Sequence, residues 1–118
     1  MTDETDALAL HVARARRNVL RMLEATPSGH LGGAMSAIEV VTAIYFHAMR
    51  PREHDAPDRD RFLLSAGHKA MAQYAVLAEK GVINPEVLDT YGHLGSPVPG
   101  HPCMRLLDGI EGNTGALG

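Results

Sequence analysis

The chain has 118 residues, 45% of them apolar and 21% charged, and a net charge of −3 with His neutral. That fits one small globular domain, argues against a nucleic-acid surface with its basic face, and leaves a single cysteine, Cys103, which excludes an internal disulfide framework. No apolar run in the sequence approaches the roughly 20 residues of a membrane span, and the acidic start Met1-Thr2-Asp3-Glu4-Thr5-Asp6 lacks the basic residues of a signal peptide, so a cytoplasmic location is expected.

The first predicted element is a helix over about Asp6 to Ala25. Leu8, Val12, Val19 and Leu23 recur at helical spacing, and arginines fill the other faces. Pro27 disfavours helix at Thr26 and should end it. A glycine-rich turn follows, Ser28-Gly29-His30-Leu31-Gly32-Gly33. Ser36 and Glu39 have the spacing of a capping box, so a second, mostly buried helix is expected from there to near Arg50-Pro51. Pro51 to Arg61 is polar and reads as a surface loop.

Phe62-Leu63-Leu64-Ser65 is a short apolar run, and its length favours a buried strand. Ala66-Gly67-His68 is a sharp turn. Lys69 to Lys80 reads as a third helix, closed by Gly81 as C-terminal cap. Asn84-Pro85 starts a short fourth helix, with proline at the first helical position. The stretch from Gly92 to Gly118 holds seven of the twelve glycines and three of the seven prolines, and reads as loop. One strand without a sheet makes an incomplete fold.

Four of the seven histidines directly follow a glycine: His30, His68, His93 and His101. With glycine at roughly one position in ten, fewer than about one such pair is expected by chance. Glycine lets the backbone turn sharply and approach a ligand. Histidine suits proton transfer and anion binding. For any one of these residues alone, a polar loop position is the better reading; four together point to a site. A zinc site is disfavoured, because no pair has close ligand spacing. The order strand, Ser65-Ala66-Gly67-His68, helix is one in which helix amides can face a phosphate. A plain strand-to-helix turn fits it equally well.

Three separated segments resemble transketolase in order and spacing. Ser28-Gly29-His30-Leu31-Gly32-Gly33 is similar to the family's Ser-Gly-His-Pro-Gly turn. Asp58-Arg59-Asp60-Arg61-Phe62-Leu63-Leu64-Ser65-Ala66-Gly67-His68 is similar to its Asp-Arg-Asp-Arg segment and Gly-His turn. Pro99-Gly100-His101-Pro102 and Thr114-Gly115-Ala116-Leu117-Gly118 are similar to its Gly-His-Pro and Thr-Gly-Pro-Leu-Gly loops. The resemblance covers about Ala15 to Gly118. The short segments Arg50 to Asp58 and Gly81 to Asn84 fit the split bacterial form, in which this part belongs to a separate N-terminal subunit.

The resemblance implies an α/β fold: residues 1–118 as the opening part of a thiamine diphosphate-binding domain, with a parallel sheet flanked by helices. It implies transfer of a two-carbon ketol unit from a ketose phosphate to an aldose phosphate. His30 and His101 match the histidines that touch the reacting oxygens of the sugar. His68 matches the one that hydrogen-bonds the cofactor diphosphate, and Gly115 and Leu117 match backbone contacts to the cofactor. His93 and Ser28 are near these positions by sequence only. The family's metal-binding Gly-Asp-Gly segment and its activating glutamate have no counterpart here. The expected metal, Mg2+ or Ca2+, is therefore held by residues outside this chain, and the chain is not expected to be active alone. The expected partners are the remaining transketolase segments or a C-terminal subunit, in a dimer or heterotetramer. Leu31 stands where transketolases often have proline and the related deoxyxylulose phosphate synthases often have leucine. Ala66 replaces a more polar residue of the turn and Ala116 a proline. A deoxyxylulose phosphate synthase, another two-carbon transferase and a non-catalytic association fragment remain alternatives from sequence.

Overall fold

The computed structural model describes residues 2–53 and 55–113. Helix α1 spans Asp3–Ala25. It begins three residues before the predicted start, because the Thr2 hydroxyl accepts from the Thr5 amide at 3.1 Å and caps it. Ala15, Val19 and Met22 form its buried stripe. Thr26 turns extended, as the following proline requires.

Helix α2 spans Leu31–Ala43 and begins directly after His30, so the expected Ser36–Glu39 capping box does not form. The Ser36 hydroxyl instead donates to the Gly33 carbonyl inside the helix. Two glycines in a first turn cost about 1 kcal/mol each relative to alanine. Packing of Ala34, Ile38 and Val41 into the core outweighs that cost. The helix continues as a π-helical turn, Ile44–Ala48, closed by the Met49 amide on the Ile44 carbonyl at 2.8 Å. By length and composition alone, Leu31–Ala48 is a candidate membrane span, contrary to the sequence expectation; a core helix passes the same test, and this one buries Ala34, Ile38, Val41, Thr42 and Tyr45.

A 3-10 turn, Gly67–Lys69, leads into α3, Ala70–Lys80. Residues 70–78 are all buried, so α3 is the centre of the core, packed on both α1 and α2. Gly81 closes it at φ +84°, with the Val82 amide reaching back to Leu77. A short 3-10 helix, Pro85–Thr90, follows under an Asn84 cap.

Phe62-Leu63-Leu64-Ser65, expected as a strand, forms none, and no strand occurs among the described residues. The side chains do alternate: Phe62 meets Tyr45 edge-on and Leu64 is buried, while Leu63 is 62% exposed. A strand also needs a neighbour for its backbone groups, and no described residue provides one. Residues 92–113 are loop as expected, but anchored by buried Val98 and Ile110.

Candidate functional site

His30 caps the start of α2, and His68 lies in the turn that opens α3. Their rings meet edge to face, with centroids 5.3 Å apart and planes at 77°. His30 is exposed and His68 half-buried, so the pair is open to a ligand. Two glycines lie beside these turns. Gly29 sits at φ +140°, and a Cβ there would lie 3.0 Å from the Met71 methyl and 3.4 Å from the Tyr91 hydroxyl. Gly33 faces the second turn: a Cβ there would lie 3.5 Å from Lys69 Cγ and 3.9 Å from the His68 ring.

The amides of the second turn are already engaged. Gly67 donates to Ser65, Lys69 to Ala66 and Ala70 to Gly67. Of the two readings the strand–turn–helix order left open, these three bonds favour the plain turn, and a phosphate here would draw chiefly on side chains.

His101 is exposed in the loop after Pro99. Tyr74 of α3 donates to the Pro99 carbonyl at 2.7 Å and packs edge-on against Tyr91. Tyr91 in turn reaches Gly29. This tyrosine pair joins the His101 loop to the His30 turn. Among the described residues, however, His101 makes no ring or hydrogen-bond contact with the His30–His68 pair.

His93 is placed differently. Its Nε2 donates to the Ala25 carbonyl at 2.9 Å, satisfying the end of α1. Ser28 is exposed beside Gly29. His11 stacks on Phe46 and bonds Glu79, and His47 bonds Glu4, so both serve packing and pairing. Gly115 and Leu117 lie outside the described residues. Among the described residues no group of three or more His, Cys, Asp or Glu side chains is arranged to hold a metal ion. A cavity of about 470 Å³, lined by Tyr45, Phe62, Leu77, Val82, Arg59 and Glu111 among others, includes none of these histidines.

Sequence reasoning missed Lys69, Tyr74 and Tyr91. Lys69 had a signal, since it adjoins His68 in the same turn. The tyrosines had none, because only packing brings them to the loop.

The family model described as transketolase, thiamine diphosphate binding domain, matches residues 8–118. The chain belongs to the transketolase family. It is 41% identical over 117 residues to an apulose-4-phosphate transketolase subunit of Phocaeicola vulgatus, a match covering 98% of this chain and 41% of that protein. It is 46% identical over 92 residues to a 6-deoxy-6-sulfo-D-fructose transketolase subunit of a Clostridium species, covering 76% of this chain and 34% of that one. The transketolase of Leishmania mexicana superposes with a TM-score of 0.85 at 30% identity, over 94% of this chain and 17% of that chain. The chain thus spans about two-fifths of the length of the Phocaeicola protein and less of the others.

The residues present fit one end of the family's cofactor. The His68 ring and the Lys69 stem lie beside Gly33, and the His30 ring meets that of His68. These are donors suited to a diphosphate. Among the described residues no third metal-ligating side chain joins the two imidazoles.

Proposed function

We propose that this chain forms the diphosphate side of a thiamine diphosphate-dependent transketolase, which moves a two-carbon ketol unit from a ketose phosphate to an aldose phosphate. The observation that carries this reading is the edge contact of His30 and His68 at the starts of two neighbouring helices. The cofactor, when bound, is the electron sink that makes a ketol carbanion accessible. In this reading His68 holds the diphosphate. His30 and His101 move protons at the sugar oxygens and stabilise charge that develops there. Gly115 and Leu117 give backbone contacts to the cofactor, and Mg2+ or Ca2+ is bound by residues outside this chain. Residues 62–65 act as one strand of a parallel sheet whose other strands lie in the rest of the domain. The partner is that remainder, in one chain or as a second subunit, within a dimer or heterotetramer. The names of the relatives favour a transketolase over a deoxyxylulose phosphate synthase.

The test uses the chain together with the segments that its longer relatives carry. His30→Ala and His101→Ala should lower donor-sugar turnover by about a hundredfold or more, with little change in the cofactor concentration required. His68→Ala should raise that concentration roughly ten- to a hundredfold, the loss expected for one charge-assisted hydrogen bond. Steady-state kinetics at saturating and limiting cofactor separates the two. Small, equal effects from all three substitutions would reduce these histidines to loop residues and overturn the reading.

A further inference from the structure

We propose that Lys69 is a phosphate-binding residue of the His30–His68 site and provides its fixed positive charge. This rests on the functional reading above and adds to it a residue that the family resemblance does not assign.

Three observations converge on it. First, the amides of Gly67, Lys69 and Ala70 are already hydrogen-bonded within the turn. With these three amides engaged, this chain's contacts to a phosphate bound there come mainly from side chains. Second, Lys69 is a cation without a counter-ion. Arg14, Arg16, Arg21, Arg50, Arg52, Arg59 and Arg61 face carboxylates and Lys80 sits over the Phe46 ring, while Arg17 and Arg105, which like Lys69 have no ion pair among the described residues, are both exposed and lie on α1 and in the loop after Pro102. Lys69, half-buried, has no ion-pair or hydrogen-bond partner for its ammonium among the described residues. Third, its stem lies beside the site. Cγ and Cε lie 3.5 and 3.6 Å from the point where Gly33 would carry a Cβ, and the His68 ring lies 3.9 Å from the same point. The stem therefore passes over Gly33, beside His68, whose ring touches His30. A lysine laid along a surface in this way loses less side-chain entropy when it meets an anion.

A phosphate group could reach this cation from two sources, the cofactor diphosphate or a sugar phosphate. Both present the same chemistry, and the experiment separates them. The imidazole resonances of His30 and His68 are followed by NMR in the chain together with the segments that its longer relatives carry, with magnesium present, during titration with inorganic pyrophosphate and, separately, with ribose 5-phosphate. Lys69→Gln should weaken one of the two ligands about tenfold, while Lys69→Arg stays within about threefold of the wild type. Loss confined to pyrophosphate assigns Lys69 to the cofactor side; loss confined to ribose 5-phosphate assigns it to the substrate side.

If the histidine resonances respond in the wild type but Lys69→Gln binds both ligands as tightly, the Lys69 proposal is overturned and the functional reading stands. Equal loss in Lys69→Arg and Lys69→Gln would also overturn it, because charge would not be the cause. If neither ligand moves the His30 or His68 resonances in the wild type, this proposal falls together with the diphosphate-side reading.

Discussion

The Tyr74 hydroxyl donates a 2.7 Å hydrogen bond to the Pro99 carbonyl, and so fastens the loop that carries His101 to the buried helix α3. The Tyr74 side chain is fully buried. Burial pushes its phenol far above the usual range, with smaller contributions from Tyr91 and Cys103. The hydroxyl therefore stays protonated, and a donor, around neutral pH. Tyr74→Phe keeps the ring and removes only this bond. It should lower stability by about 1 kcal/mol, read from the urea midpoint. Cleavage by trypsin after Arg105 should also speed up, because the loop opens more often. An unchanged cleavage rate would show that the bond does not hold the loop.

Gly29→Ala tests the turn that places His30. Alanine at φ +140° is strained, and its Cβ would press on the Met71 methyl. The methyl can swing away, so the backbone sets the cost, about 1–3 kcal/mol. Chemical denaturation should report that loss. The His30–His68 contact should loosen with it, seen as a changed imidazole shift.

Thr42 of α2 is buried, and its hydroxyl has no hydrogen-bond partner among the described residues. Valine has nearly the same shape without the oxygen. A buried unpaired polar group costs about 1–3 kcal/mol, so Thr42→Val should raise stability by roughly 1 kcal/mol once the lower helix propensity of β-branched residues is considered equal on both sides. A fall in the unfolding midpoint would show that the hydroxyl is satisfied in solution.

Acid should weaken two exposed clasps. Arg21 makes two hydrogen bonds to Asp89, joining α1 to the 3-10 helix, and Arg50 closes its loop on Asp60 in the same manner. These hydrogen bonds hold both carboxyls below the ordinary 3.8. A group whose folded value is depressed contributes its full stability above the unfolded value and loses it as pH falls through the folded one. The unfolding midpoint should therefore stay level with respect to these two groups down to about pH 4 and fall below it. The double variant Asp60→Asn, Asp89→Asn should start lower and show a shallower acid decline. An equally steep decline in that variant would assign the acid sensitivity to other carboxylates.

Much of the helical scaffold was legible in the sequence. Pro27 ended α1, Gly81 ended α3, and Asn84-Pro85 opened the last short helix, because each acts through its own backbone and needs no distant partner. The start of α2 was misread. Ser36 and Glu39 had the spacing of a cap, but packing of Ala34 and Ile38 on α1 and α3 drew the helix back to Leu31 through two glycines. Residues 62–65 have the side-chain alternation of a strand and lack, among the described residues, the neighbour that would make them one.

The sequence by itself determined the local signals: where helices stop, which glycines precede histidines, and the ordered motifs by which the transketolase family is recognised. These depend on backbone chemistry within a few residues, so they survive in a linear reading. Only the tertiary structure decided which histidines meet. It joined His30 to His68, turned His93 to the end of α1, and placed Lys69 over Gly33 with no carboxylate paired to it among the described residues. The physical reason is that these relations are set by the packing of α2 and α3 against each other, and side chains far apart in sequence become neighbours only when that core closes.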